Sequence, residues 1–336
     1  MRQFASVYNL SMRTVGSSIV ALALLGCSAK AKPPPAPPTT PSFPGLPPIA
    51  GRPSCPGCDV FGVRMLYPSL AGGMAWSARW HESPRRFGGQ DPLDRWFDAA
   101  HGDASYFVPG DGTLRISGPV PRMYVHDPAL DRQWRDVEIT VYFARLSDDG
   151  VPWGGMVSVA RTNHGTTGDE GVDKCDTRGL GARMRYDGAI DFEKETNHPE
   201  SQPRASQAQW AGGLPFGMWL GYKHVVYDLP GGRVRQELWL DESDGAQGGQ
   251  FRLLNALEDD GAAFGAGQRG CRPGIAPELP LRAAGERPGS ESGKPNISVY
   301  FRSDRVGRDG LVYKWASVRE IQAPAAPPPE PTPPER

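Results

Sequence analysis

A period of two constrains this chain more than any other feature. Val137, Ile139, Val141 and Phe143 are apolar, and Glu138, Thr140 and Tyr142 between them are more polar. This is the alternation of a strand with one face on a core. Further strand candidates lie at residues 114–117, 123–126, 155–160, 182–186, 189–195, 219–227, 234–240, 297–302 and 311–321. Turn signals separate them: Gly110-Asp111-Gly112, Asp187-Gly188, Pro230-Gly231-Gly232 and Asp309-Gly310. No window has a long 3.6-residue apolar period, and only residues 92–100 suit a short helix. The pattern predicts an all-β fold, a two-sheet antiparallel β-sandwich or jelly roll, and the lack of a fixed repeat excludes a propeller.

The flanks follow a different rule. Arg2 and Arg13 precede the apolar run from Ile19 to Leu25, which is too short to span a bilayer and reads as the core of an export signal. Leu24-Leu25-Gly26-Cys27 resembles the lipobox of bacterial lipoproteins, which implies acylation at Cys27 and anchoring in the cell envelope. With Ser28 next to it, the resemblance points to the outer membrane or cell surface. Residues 28–54 are a proline-rich linker and residues 323–336 a proline-rich tail; both compositions favour extended, disordered chain. The folded unit is therefore expected at residues 55–322.

Four cysteines remain for an oxidising compartment: Cys55, Cys58, Cys175 and Cys271. Three disulfide connectivities are open, one being closure of Cys55-Pro56-Gly57-Cys58 on itself with Cys175 left to Cys271. A four-cysteine zinc ribbon would need a second C-x-x-C, which the sequence lacks. Lys and Arg number 37 against 38 Asp and Glu, a balance that excludes a general nucleic-acid binder.

An exported, all-β unit with nine Trp, closing on the strand Leu311-Val312-Tyr313-Lys314-Trp315-Ala316-Ser317-Val318-Arg319, is similar to the concanavalin-like lectin and glucanase jelly rolls. The resemblance implies a concave sheet that receives a polysaccharide, in a superfamily of hydrolases, lyases and lectins. Fold does not choose among these.

Three chemistries are expected to compete. Cleavage of an acidic glycan by β-elimination needs a group that neutralises the sugar carboxylate, a base and an acid. Jelly-roll lyases meet this with Arg, Asn or Gln, His and Tyr; here His164 and Tyr186 would carry protons. Arg161, Asn163, Arg183, Arg185, Lys194 and Lys223 would bind substrate. A two-residue turn at Asp187-Gly188 would put Arg183 and Arg185 on one face with Ile190, Phe192 and Lys194, and Tyr186 on the other with Met184, Asp191 and Glu193. The alginate-lyase triplet Gln-Ile-His or Gln-Val-His is missing, and Arg235-Gln236-Glu237-Leu238-Trp239 only half matches that family's Arg-x-Glu-x-Arg. Hydrolysis would use two of Asp191, Glu193 and Glu195, which alternate and so share a strand face. Binding without turnover would use aromatic rings, with Trp153 and Trp210 in turn-rich contexts as the candidates for exposure. The sequence assigns no definite cofactor, and calcium is the candidate. Two oxygen-rich loops suit calcium: Asp169, Glu170, Asp173 and Asp176 around Cys175, and Asp241-Glu242-Ser243-Asp244-Gly245.

Overall fold

The computed structural model describes residues 55–169, 171, 172, 174, 177–264, 281, 282 and 297–331. The export signal, the linker, Cys27, Cys175 and Cys271, and the acidic residues Glu170, Asp173 and Asp176 lie outside them.

Among the described residues seventeen strands form: β1 (Ala75–Ser77), β2 (Arg85–Phe87), β3 (Gln90–Asp91), β4 (Asp94–Asp98), β5 (Asp103–Val108), β6 (Thr113–Val120), β7 (Arg122–His126), β8 (Val137–Arg145) and β9 (Gly155–Thr162), followed by β10 (Gly179–Arg185), β11 (Ala189–Asn197), β12 (Glu200–Ala208), β13 (Leu220–Leu229), β14 (Arg233–Asp241), β15 (Arg252–Asp259), β16 (Ser298–Arg302) and β17 (Val306–Glu320). They make two antiparallel sheets. The back sheet runs β15-β14-β13-β8-β17-β6-β5-β2, with β1 on β17; the front sheet runs β12-β11-β10-β9-β16-β7-β4-β3. The two-sheet jelly-roll sandwich expected from the alternation is the fold. The segment with helical potential is instead strand β4, because Phe97 is stacked on Trp76 at 5.6 Å in the core, so tertiary packing overrides local preference.

The inner faces close on one core. Met123, Val125, Met156, Ala160, Leu180, Ala182, Met184, Ile190, Phe192, Val299 and Phe301 come from the front sheet; Ile139, Val141, Phe143, Leu220, Val226, Leu238, Leu311 and Tyr313 come from the back. The half-buried strand expected at 137–143 is buried on both faces. Glu138, on its outer side, accepts from Lys223 Nζ at 2.7 Å and from the backbone of Leu66 at 3.0 Å, because the stretch from Cys58 to Tyr67 packs over this part of the back sheet. Cys55 and Cys58 form the local disulfide that opens that stretch.

Two stitches close the open side of the sandwich between the terminal strands β12 and β15. Gln207 Nε2 donates to Leu254 O at 2.7 Å, and Asn255 Nδ2 donates to Ala205 O at 2.6 Å. The first part of the proline-rich tail follows the back sheet without regular structure, held where Arg235 Nη2 donates to Pro328 O at 2.6 Å, and Pro331 reaches a cleft shared with Gln207 and Leu254.

Candidate functional site

The register of one hairpin decides which side chains meet. β10 and β11 pair as Arg183 with Asp191 and Met184 with Ile190, so the loop is Tyr186-Asp187-Gly188, three residues long. Gly188 takes a φ of +85°, and a Cβ there would lie 2.0 Å from Trp210 O, so only glycine closes the loop. The slip of one residue from the two-residue turn reverses the facing of β11 relative to β10. Arg183 and Arg185 therefore share the outer front face with Asp191, Glu193 and Glu195, while Tyr186 turns into the core with Met184 and Phe192.

Those arginines are paired. Arg183 grips Asp191 with two hydrogen bonds, Nε at 2.5 Å and Nη2 at 2.9 Å, and reaches Glu193 at 3.1 Å. Arg185 contacts Asp191 at 3.1 Å and Asp187 at 2.5 Å. Glu193 also receives Arg302 at 2.6 Å and Ser201 Oγ at 2.8 Å. Burial alone would raise its pKa, but Arg302 and Arg183 outweigh burial and hold the carboxyl below its usual range. Gly181 makes room for it: a Cβ at that position would meet Glu193 Cγ at 2.6 Å. The carboxylates share a face, as a hydrolase pair would need. Asp191 and Glu193 are both held in ion pairs with arginines.

The other predicted residues scatter. Arg161 sits at a bulge, φ 50°, where three residues of β9 from Val159 oppose two of β16. The extra residue rotates its side chain inward, to Asp228 at 2.5 Å, Leu281 O at 2.7 Å and Asp136 at 2.8 Å. Lys194 is also between the sheets, 2.7 Å from Asp259, with neither side chain reached by solvent. Lys223 is on the outer face of the back sheet, bound to Glu138 and Thr140. Tyr186 is buried at one end of the core, its hydroxyl 3.2 Å from Ser303 Oγ, and burial pushes its pKa up. Asn163 is buried and its Oδ1 accepts from Arg178 N at 3.1 Å. Arg161, His164, Tyr186 and Lys223 thus occupy the core and two opposite surfaces and form no joint site.

His164 has different neighbours on the outer front face. Its Nδ1 lies 2.6 Å from Tyr124 Oη. Its ring stacks on Tyr300 at 5.3 Å and lies 4.8 Å from His101 and 5.1 Å from His198. His198 Nδ1 is 2.7 Å from Glu195 Oε1. Gly165 allows this packing, since a Cβ there would be 2.3 Å from the Tyr124 ring. Burial raises the Tyr300 pKa to about 12. Sequence reasoning missed Tyr124, Tyr300 and Arg302 as neighbours of this site. The available signal was alternation, because Tyr124 and Tyr300 are cross-strand partners opposite in facing to Met123, Val125, Val299 and Phe301.

A second surface lies at the hairpin end of the sandwich. Trp153 is 52% exposed, and its loop is pinned by Tyr186 N to Gly154 O at 2.7 Å and Asp187 N to Pro152 O at 3.2 Å. Phe216, 59% exposed, lies under the Arg145 guanidinium at 3.9 Å. The same Arg145 donates to Tyr186 O and Leu214 O and pairs with Asp148 at 2.6 Å. Trp210, the other aromatic expected at the surface, is half-buried against the core.

In the loop at 241–245 the acidic side chains have protein partners, Glu242 with Arg252 at 3.1 Å and Asp244 with Lys314 at 2.5 Å. The Asp241 carboxylate is filled by Tyr142 Oη, Ser243 N and Oγ, Gly245 N and Gln250 N, all between 2.6 and 3.0 Å.

No family model matches the sequence, and no curated protein matches it. Among solved structures the chain is similar to the exoplasmic/lumenal domain of VIP36 in its Ca2+/Man3GlcNAc-bound form, at 12% identity and TM-score 0.40, covering 75% of this chain and 93% of that one. It is also similar to the alginate lyase Aly36B in complex with alginate trisaccharide, at 11% identity and TM-score 0.37, covering 76% and 100%. A third is the PL-14 alginate lyase from Aplysia kurodai, at 8% identity and TM-score 0.37, covering 71% and 91%. Likeness at this level leaves the ligand to be read from the residues themselves.

Proposed function

We propose that this chain is a polysaccharide-recognising protein of the cell surface, tethered through an acylated Cys27 and binding glycan at the hairpin end of the sandwich. The observation that carries the reading is that Trp153 and Phe216 are both exposed on loops tied to the Tyr186-Asp187 turn, Trp153 through the backbone bonds of its loop and Phe216 under Arg145, which pairs with Asp148 and donates to Tyr186 O. An exposed indole on a backbone-held loop gives a flat apolar face for the C–H face of a sugar ring, and carboxylate and guanidinium groups at this end of the sandwich suit hydroxyls or sugar carboxylates. The test is retention of the full chain on alginate, pectate, glucuronan, glycosaminoglycan and neutral glucan gels. Trp153→Ala should weaken binding about tenfold, the loss of roughly one aromatic contact, with the melting temperature unchanged. Equal retention of variant and parent would refute the stacking role. Labelled palmitate should enter the chain in cells and fail to enter Cys27→Ser; incorporation into the variant would refute the tether.

A second reading has its own observation. The Tyr124–His164 pair at 2.6 Å supplies the two proton carriers of β-elimination, replacing the His164–Tyr186 combination expected from sequence. Ultraviolet absorbance of an unsaturated product in the same incubations, lost in Tyr124→Phe, would support it; retention with no absorbance would leave binding alone.

A further inference from the structure

We propose that His164, Glu195 and His198 form a binding site for a divalent transition-metal ion, with zinc the best match. The donor atoms of the three side chains all lie within 4.8 Å of one another. In a tetrahedral zinc site with bonds of about 2.0–2.1 Å, neighbouring donors stand about 3.3 Å apart. Closing the set therefore takes side-chain adjustments of about 1.5 Å or less, with no change of strand register. Two imidazoles and one carboxylate are borderline-soft donors that favour zinc, cobalt or nickel; calcium prefers six to eight oxygens, which this set does not offer.

Three features fit a metal site better than a packed polar cluster. Glu195 is the last carboxylate of the β11 face. Unlike Asp191 and Glu193, its direct ion-pair partner among the described contacts is an imidazole, His198 at 2.7 Å, with no guanidinium. Tyr124 Oη lies 2.6 Å from His164 Nδ1, which fixes the ring plane; in the tautomer in which Nδ1–H donates to the tyrosine oxygen, Nε2 is left to coordinate, and the tyrosine takes the place of the outer-shell acceptor usual for metal-bound histidines. His198 has 31% of its side chain exposed while Glu195 has 10%, so the cluster opens to solvent on one side, as an ion that keeps a water or ligand in its fourth position requires. The site shares no residue with the glycan surface at Trp153 and Phe216, but it shares His164 and Tyr124 with the β-elimination reading, so zinc binding is measured without glycan to tell the two apart.

The experiment uses the full chain, stripped with a chelator and titrated with Zn2+ and, separately, Ca2+ by calorimetry in the absence of glycan. One Zn2+ should bind per chain, and Ca2+ should give no saturable heat. His198→Ala, a change at the partly exposed member, should keep the parent's circular dichroism and lower zinc affinity at least tenfold; Glu195→Gln should do the same. Tyr124→Phe should weaken binding by about tenfold through its effect on His164. Co2+ in place of zinc should give visible bands of nitrogen and oxygen ligation without a thiolate charge-transfer band. Absence of saturable zinc binding, parent-like affinity in folded His198→Ala, or a thiolate band pointing to cysteine would each overturn the proposal.

Discussion

His224 makes stability depend on pH in a calculable way. It is buried in the core, with Nδ1 3.0 Å from Ser158 Oγ and Nε2 3.2 Å from Gln236 Oε1. Gln236 Oε1 can only accept, so Nε2 carries the ring hydrogen and Nδ1 accepts from the serine. Burial pushes the pKa down to about 3, against about 6.5 in an unfolded chain. The folded pKa is depressed, so the contribution is intact above about pH 6.5 and is lost as pH falls toward 3. In that window the unfolded chain holds one more proton than the native one, and stability falls by about 1.4 kcal/mol per pH unit. From pH 7 to pH 5 this one residue removes about 2 kcal/mol. Urea unfolding followed by tryptophan fluorescence at pH 7, 6 and 5 measures it, with His224→Gln as the comparison. The variant starts less stable at pH 7 and should lose about 2 kcal/mol less than the parent on acidification. Parallel pH dependence in the two proteins would show that His224 is not held neutral, and the reasoning from its burial would fail.

Two further outcomes follow from the packing. Asp259→Ala leaves the Lys194 ammonium buried without its carboxylate and should cost about 3–5 kcal/mol in urea unfolding, whereas Lys194→Met with Asp259→Leu should restore most of that loss; a single variant as stable as the parent would refute the buried pair. Gly188→Ala should destabilise by more than about 1 kcal/mol, since the residue combines a φ of +85° with a backbone oxygen 2.0 Å from the added methyl, and a neutral result would refute the three-residue loop.

Much of the sandwich was legible in alternation, because a strand that packs one face on a core repeats every second residue whatever its neighbours are. The edge strands β12 and β15 were not, since a terminal strand such as Glu200–Ala208 has little apolar content to repeat. Register was legible only to within one residue, and that residue decided the site. Asp187-Gly188 located the hairpin correctly, yet whether two or three residues turn the chain depends on Gly188 meeting Trp210, a contact between loops. The bulge at Arg161 and the burial of Lys194 have the same origin: each cation is drawn inside by a carboxylate far away in sequence, Asp136 and Asp228 or Asp259. His164, Glu195 and His198 all lie within the polar stretch from Arg161 to His198. Their convergence was hidden because it needs both the hairpin register and the loop that folds His164 back onto Tyr124 and Tyr300.

The reciprocal stitches between β12 and β15 bear on how such chains behave when crowded. The rim strand of an open sheet is ordinarily a template on which a stranger's backbone can zip, and molecules concentrated on a surface meet rim to rim often. Here Gln207 and Asn255 each occupy a carbonyl of the opposite rim, and Pro331, which has no amide hydrogen, lies in the cleft between them. The β12 and β15 rims are thereby spent on each other, so at this side of the sandwich a crowding neighbour finds no open rim on which to extend a sheet into a fibril.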